Sequence, residues 1–263
     1  MNQKQFEELE LRDDFMFGKV MQNKEICKKT LEVLLGIQIE NIEYPETQKI
    51  INITYQGKSV RLDVYVADDM NTVYNAEMQQ KDGSEILEQL PKRSRYYQGM
   101  LDLSLIERGL PYTALHKSYI IFICTFDPFG EGKYRYTFQH LCKEDTSLVL
   151  EDGMTKLFFN TKGNLEDAPE ELRIFLQYIE TKQPESEFTK KIDHEVERTK
   201  RNEKWRREYM KELLHDFDIK EEGKQEINQL IQMLAGQNRM EDIIRSAKDT
   251  EYQQKLLKEF NLA

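Results

Sequence analysis

The stretch from Val60 to Lys81 constrains this chain most, because it spells two β-strands around a turn. Val60, Leu62, Val64 and Val66 alternate with Arg61, Asp63 and Tyr65, the period of a half-buried strand. Asp68-Asp69-Met70-Asn71 supplies the turn chemistry. In the second run Val73, Asn75, Glu77 and Gln79 share one face, and Tyr74, Ala76 and Met78 the other. If the runs pair as a hairpin, an acid from each strand meets at one point, Asp63 with Glu77. Two carboxylates on the rim of an apolar sheet repel unless a cation lies between them. Hard oxygen ligands of this kind suit Mg²⁺ or Mn²⁺. The alternative is a pair of solvated acids on outward strand faces. Glu77 weighs against it, since Glu is disfavoured in strands and this one stands between Ala76 and Met78.

Around the hairpin the pattern predicts a mixed α/β order. Residues 12–35 read as one amphipathic helix, with Phe15, Val20, Ile26, Leu31, Leu34 and Leu35 at helical spacing and Gly36 as its stop. Asp13 or Asp14 is its N-cap, and Asp14 has a second reading as an accessory metal ligand. A strand is expected near 48–54. After the turn at Lys81–Ser84, with Ser84 as N-cap, residues 85–108 form a helix closed by Gly109. Gln89, Arg93, Tyr96 and Tyr97 fall on one face of it. With Lys92 and Arg95 this is the most basic short stretch near the paired acids: either a solvated helix face or a phosphate-contacting one.

The run from His116 to Phe126 is continuously apolar, as in a strand buried on both faces of a sheet. Further strands are expected at Tyr134–His140 and Lys156–Asn160. From Ala168 onward the chain is helical and charged, with an interruption expected at Gly223 and short helices at Met240–Ser246 and Thr250–Phe260. The expected division is a core of residues 1–165 and a helical C-terminal region of residues 166–263. That tail reads as an oligomerisation element, with a dimer as the expected assembly, as a DNA-facing module, or as a scaffold for the core.

Composition excludes several classes. The net charge of −10 confines any nucleic-acid contact to a local basic patch of salt-sensitive affinity. Three widely spaced cysteines, Cys27, Cys124 and Cys142, form neither a disulfide framework nor a zinc-ligand set. No apolar run approaches membrane-spanning length, and the first residues do not read as a signal peptide. A cytoplasmic protein with no membrane partner is the expectation. There is no phosphate-binding Gly-rich loop, and His116, His140, His194 and His215 are scattered without a nucleophile partner.

The segments Asp14-Phe15-Met16-Phe17, Arg61-Leu62-Asp63-Val64, Ala76-Glu77-Met78-Gln79 and Arg93-Ser94-Arg95-Tyr96-Tyr97, with Tyr112 ahead of the Tyr119–Phe126 strand, carry a resemblance. In this order the chain resembles the PD-(D/E)XK nuclease superfamily, and within it the recombination-promoting nuclease and transposase family of bacteria. The resemblance implies a restriction-endonuclease-like αβββαβ core and Mg²⁺-dependent hydrolysis of DNA. It implies that Asp63, Glu77 and the Met78 carbonyl hold the metal and that Gln79 positions the attacking water. Arg93 and Tyr97, flanked by Lys92 and Arg95, would contact the phosphate. The superfamily's usual lysine is Gln79 here, which can hydrogen-bond water but supplies no charge; Lys81 is its candidate substitute. Two other functions stay open: a nuclease-fold module that binds nucleic acid or a partner without cutting, and a role carried by the helical tail in a mobile-element or phage-defence setting.

Overall fold

The structure is a computed structural model that describes residues 4–51, 60–80, 83–106 and 109–262. Its centre is a six-stranded mixed sheet. Strands β1 (Glu46–Ile51), β2 (Val60–Ala67) and β3 (Val73–Gln79) form an antiparallel meander. Helix α3 (Ser84–Leu105) then crosses over to β4 (Ser118–Cys124), which runs parallel to β3, as a parallel neighbour requires. β6 (Met154–Asn160) is parallel to β4, and β5 (Arg135–Phe138) closes the sheet antiparallel to β6. The strand order is therefore β1-β2-β3-β4-β6-β5. Preceded by α1 (Asp14–Met21) and α2 (Lys24–Leu35), this gives the αβββαβ order of a restriction-endonuclease-like core.

The central strands are buried on both sides: every residue of β3 is buried, as are Ile120 to Cys124 of β4. Leu90, Met100 and Leu101 of α3 pack with Val73, Ile120, Phe122, Cys124, Tyr136 and Phe158. The alternate residues Tyr74, Ala76, Met78, Ile121 and Ile123 are just as inaccessible and face the other helical layer. At roughly 25 cal/mol per Å² of apolar surface removed from water, this double-sided burial dominates the stability of the core.

Several boundaries differ from the sequence expectation for identifiable reasons. The helix predicted over 12–35 is two helices, because Asn23 caps α2 by accepting the N–H groups of Glu25 and Ile26. An Asn side chain that serves the backbone in this way competes with helix continuation. The cap of α1 is Asp13, but its carboxylate binds Lys4, the Glu10 N–H and Gln80 rather than the helix end. Ser84 is the first residue of α3 and Gly83 its cap, and Pro91 lies within the helix. Residues 52–54 of the strand expected near 48–54 lie outside the described residues.

The chain divides into two compact units, residues 1–202 and 203–263. The boundary expected near 165 falls inside the first, because α4 (Glu170–Thr181) and α5 (Glu187–Lys200) pack on α1 and α2. In the second unit α6 (Glu203–Gly236) runs unbroken through Gly223, against the expected interruption. A single glycine costs a helix only about 1 kcal/mol relative to alanine. Leu230 and Leu234 of α6 bury against Leu256 and Leu257 of α8 (Thr250–Glu259), with α7 (Met240–Ser246) between them in sequence. Among the described residues no helix is long and apolar enough to cross a membrane.

Candidate active site

The pairing of Val64 with Ala76 carries Asp63 and Glu77 to facing positions one step further along the hairpin. There the ladder changes character. The N–H of Asp63 donates to Glu77 Oε1 at 3.1 Å, and the N–H of Met78 donates to Asp63 Oδ2 at 3.1 Å. Each carboxylate thus occupies the place of a backbone acceptor on the opposite strand. Asp63 is 8% exposed and Glu77 2%, which overturns the solvated-acid alternative.

Helix α3 brings a cation, Arg93, against this pair, and Arg61 of β2 adds its charge beside Asp63. Arg93 donates to Gln79 Oε1 at 2.8 Å and to the Tyr97 hydroxyl at 3.0 Å, and its guanidinium stands 3.8 Å from Glu77 Oε2. The guanidinium also lies over the Phe122 ring, on which Tyr97 stacks. Arg93 and Tyr97, four residues apart, present one helix face to β3 and β4.

The electrostatics leave negative charge in excess. Burial pushes the Asp63 carboxyl up to about 7, helped by the charge of Asp14 and opposed by the Met78 N–H, Arg61 and Arg93. Burial, and then Asp63 itself, raises the Glu77 carboxyl well above the ordinary range. Asp63 Oδ1 accepts no hydrogen bond among the described residues. A divalent cation fits this donor set. Mg²⁺ takes one or two carboxylates, keeps several waters and needs no all-protein cage. Among the described residues no three His, Cys, Asp or Glu side chains cluster to form one. The Met78 carbonyl leaves β3 on the same edge as its N–H, toward β2 and Asp63.

The remaining candidates separate. Asp14 opens α1 close enough for its charge to reach Asp63, and its own Oδ1 accepts the Phe15 N–H. Lys81 lies outside the described residues. Lys92 is turned to solvent and paired with Glu88 at 2.8 Å. Arg95 stands about 200° around the helix from Arg93, where its charge acts on Lys156 of β6 rather than on the acids. Gln89 is exposed and bonded to Glu85.

Two residues beside the acids escaped the sequence reading of roles. Asn75, two residues before Glu77, is fully buried beside the Glu77 carboxyl, whose proton affinity its amide lowers, although among the described residues neither amide atom reaches full hydrogen-bond geometry. A buried amide in period with Glu77 was the available signal. Gln48 of β1 adopts φ +56° inside a strand, opposite the Asp63 position in register, and among the described residues its buried amide has no hydrogen-bond partner. A strained backbone beside an acid is a mark of functional sites, but no sequence pattern announces it.

A family model described as PD-(D/E)XK nuclease family transposase matches residues 13–230. No curated protein and no solved structure matches the chain.

Proposed function

The chain belongs to the PD-(D/E)XK nuclease family transposases, and from that premise we propose that it hydrolyses DNA phosphodiester bonds with Mg²⁺ or Mn²⁺ at Asp63 and Glu77. The observation that carries this reading is the facing pair itself: two buried carboxylates fixed by backbone N–H groups, with the Arg93 guanidinium 3.8 Å from Glu77. Asp63, Glu77 and the Met78 carbonyl would hold the ion. Bound there, the metal supplies Lewis-acid polarisation of the phosphoryl oxygen and a more acidic water.

The chain's own groups do the rest. The two backbone N–H donors hold the carboxylates in one orientation. Arg93 is a two-armed donor on the α3 side of the acids, suited to a phosphate oxygen. Gln79, its amide carbonyl fixed by Arg93, sits beside Glu77 to orient a water. Tyr97 pins the other arm of Arg93.

A second reading, a nuclease-fold module that binds DNA or a partner without cutting, draws on Gln79. It stands where the superfamily's lysine would and brings no charge. Incubation of supercoiled plasmid with Mg²⁺, Mn²⁺ or EDTA separates the two. Cleavage that needs the metal and disappears in Asp63→Ala supports hydrolysis; equal background nicking by wild type and Asp63→Ala removes it.

A further inference from the structure

Phe122 is the lateral neighbour of Glu77 in the sheet, and Phe158 of β6 is the next one along. These two rings stack at 5.3 Å. Beyond them the sheet opens into a cavity of about 280 Å³ lined by Pro91 and Ser94 of α3 and by Phe129, Phe138, Phe158 and Lys156. The cavity has no part in holding the metal or the water.

Its walls are aromatic. Phe129 meets Phe158 edge-on at 5.1 Å, and Phe138 meets Phe158 edge-on at 5.7 Å. Phe138 is nevertheless 45% exposed, so an apolar ring faces the opening. The volume sits just below the ~300 Å³ at which small-molecule sites begin, which is room for one ring system.

Its polar content is cationic. Lys156 is half-buried with neither a hydrogen bond nor an ion pair among the described residues. Burial and then the neighbouring Arg95 hold its ammonium below the ordinary lysine range, with Asp152 opposing them. Asp152 itself is bonded to His140 at the rim. A lysine desolvated beside an arginine, in a chain of net charge −10, is an arrangement that an incoming anion relieves.

We propose that this cavity takes one unstacked nucleobase of the DNA strand being cut, with the adjoining phosphate on Lys156 and Arg95. The choice of polymer rests on the DNA-hydrolysis reading above. Two strand spacings separate Glu77 from Phe158, roughly 10 Å. A DNA strand advances about 3.4 Å per nucleotide, so the pocket serves a base a few steps from the scissile phosphate. A paired base cannot enter a single-ring cavity between a helix and a sheet; it must leave the duplex stack or come from single-stranded DNA. The site therefore selects for unpaired DNA beside the cut.

The test titrates a short single-stranded oligonucleotide carrying 2-aminopurine into the full chain in EDTA, with duplex of the same sequence for comparison. The single strand should bind more tightly, with emission raised as the base leaves its stack. Phe138→Ala should weaken single-strand binding about tenfold with the salt slope unchanged; its exposure makes unfolding no explanation. Lys156→Met should weaken it too and lower the salt slope by about one. Variants that bind the single strand like wild type overturn the proposal. So does free 2-aminopurine deoxyribonucleoside monophosphate binding as tightly as the oligonucleotide, which would make this a free-nucleotide pocket. Plasmid left uncut by wild type with Mg²⁺ removes the hydrolysis reading alone, and the titration still decides the pocket.

Discussion

Glu77 Oε1 accepts the backbone N–H of Asp63 at 3.1 Å, so the second acid of the pair is oriented by the main chain of the first. Asp63 in turn accepts the N–H of Met78. The acids are thus fixed by the strands themselves, and their mutual repulsion cannot be relieved by rotating a side chain away. Relief comes by protonation or by a cation.

That fixes the pH dependence of the metal-free protein. Asp63 titrates at about 7 in the folded chain against an ordinary value of 3.8, so the folded state binds the extra proton between those values. Stability contributed by the protonated Asp63 carboxyl is complete below pH ~4 and is lost as pH rises through ~7. Melting in EDTA should show a lower Tm at pH 8 than at pH 5.5. Mg²⁺ should raise Tm more at pH 8, where Asp63 is ionised. A Mg²⁺ shift that is equal at both pH values would dissociate the ion from this pair.

Alternation of two residues is a local property, so the hairpin, the facing of Asp63 with Glu77 and the buried β4 strand could be read from side-chain order alone. Other features depend on packing between distant segments. The bond between Arg93 and Gln79 spans 14 residues and needs α3 packed over the sheet. Phe129, Phe138 and Phe158 come from three segments, and no spacing links them. The break at Asn23 was masked by an apolar stripe that runs on through both helices. At Gly223 the opposite occurred: a local breaker was overridden, and α6 stayed whole.

The same bond between Arg93 and Gln79 decides an exchange that the sequence leaves open. Gln79→Lys restores the superfamily's usual residue, but it places an ammonium where Arg93 donates at 2.8 Å. Two cations at that distance repel, and Arg93 loses an acceptor. The variant should cleave more slowly than wild type and melt lower, by about 1–3 kcal/mol. Cleavage faster than wild type with Mg²⁺ would show that Arg93 yields and that the lysine position is simply vacant of charge.

Arg93 holds Gln79 and Tyr97 with separate arms of one planar guanidinium and faces Glu77 at 3.8 Å. A lysine has a single point of charge and cannot make both bonds with fixed geometry. Arg93→Lys should therefore keep the charge but lose the positioning. DNA affinity should fall little and keep its salt slope, while cleavage falls about tenfold or more for want of an oriented Gln79. Arg93→Ala should lower the salt slope by about one as well, and should raise the Glu77 carboxyl further, since the guanidinium now opposes that shift. Measuring binding in EDTA against salt, and cleavage with Mg²⁺, for both variants separates the two roles. If Arg93→Lys cleaves like wild type, the guanidinium is only a charge beside the acids. If Arg93→Ala leaves the salt slope untouched, its part is to hold Gln79 and Tyr97 in place, and the phosphate finds its cation elsewhere.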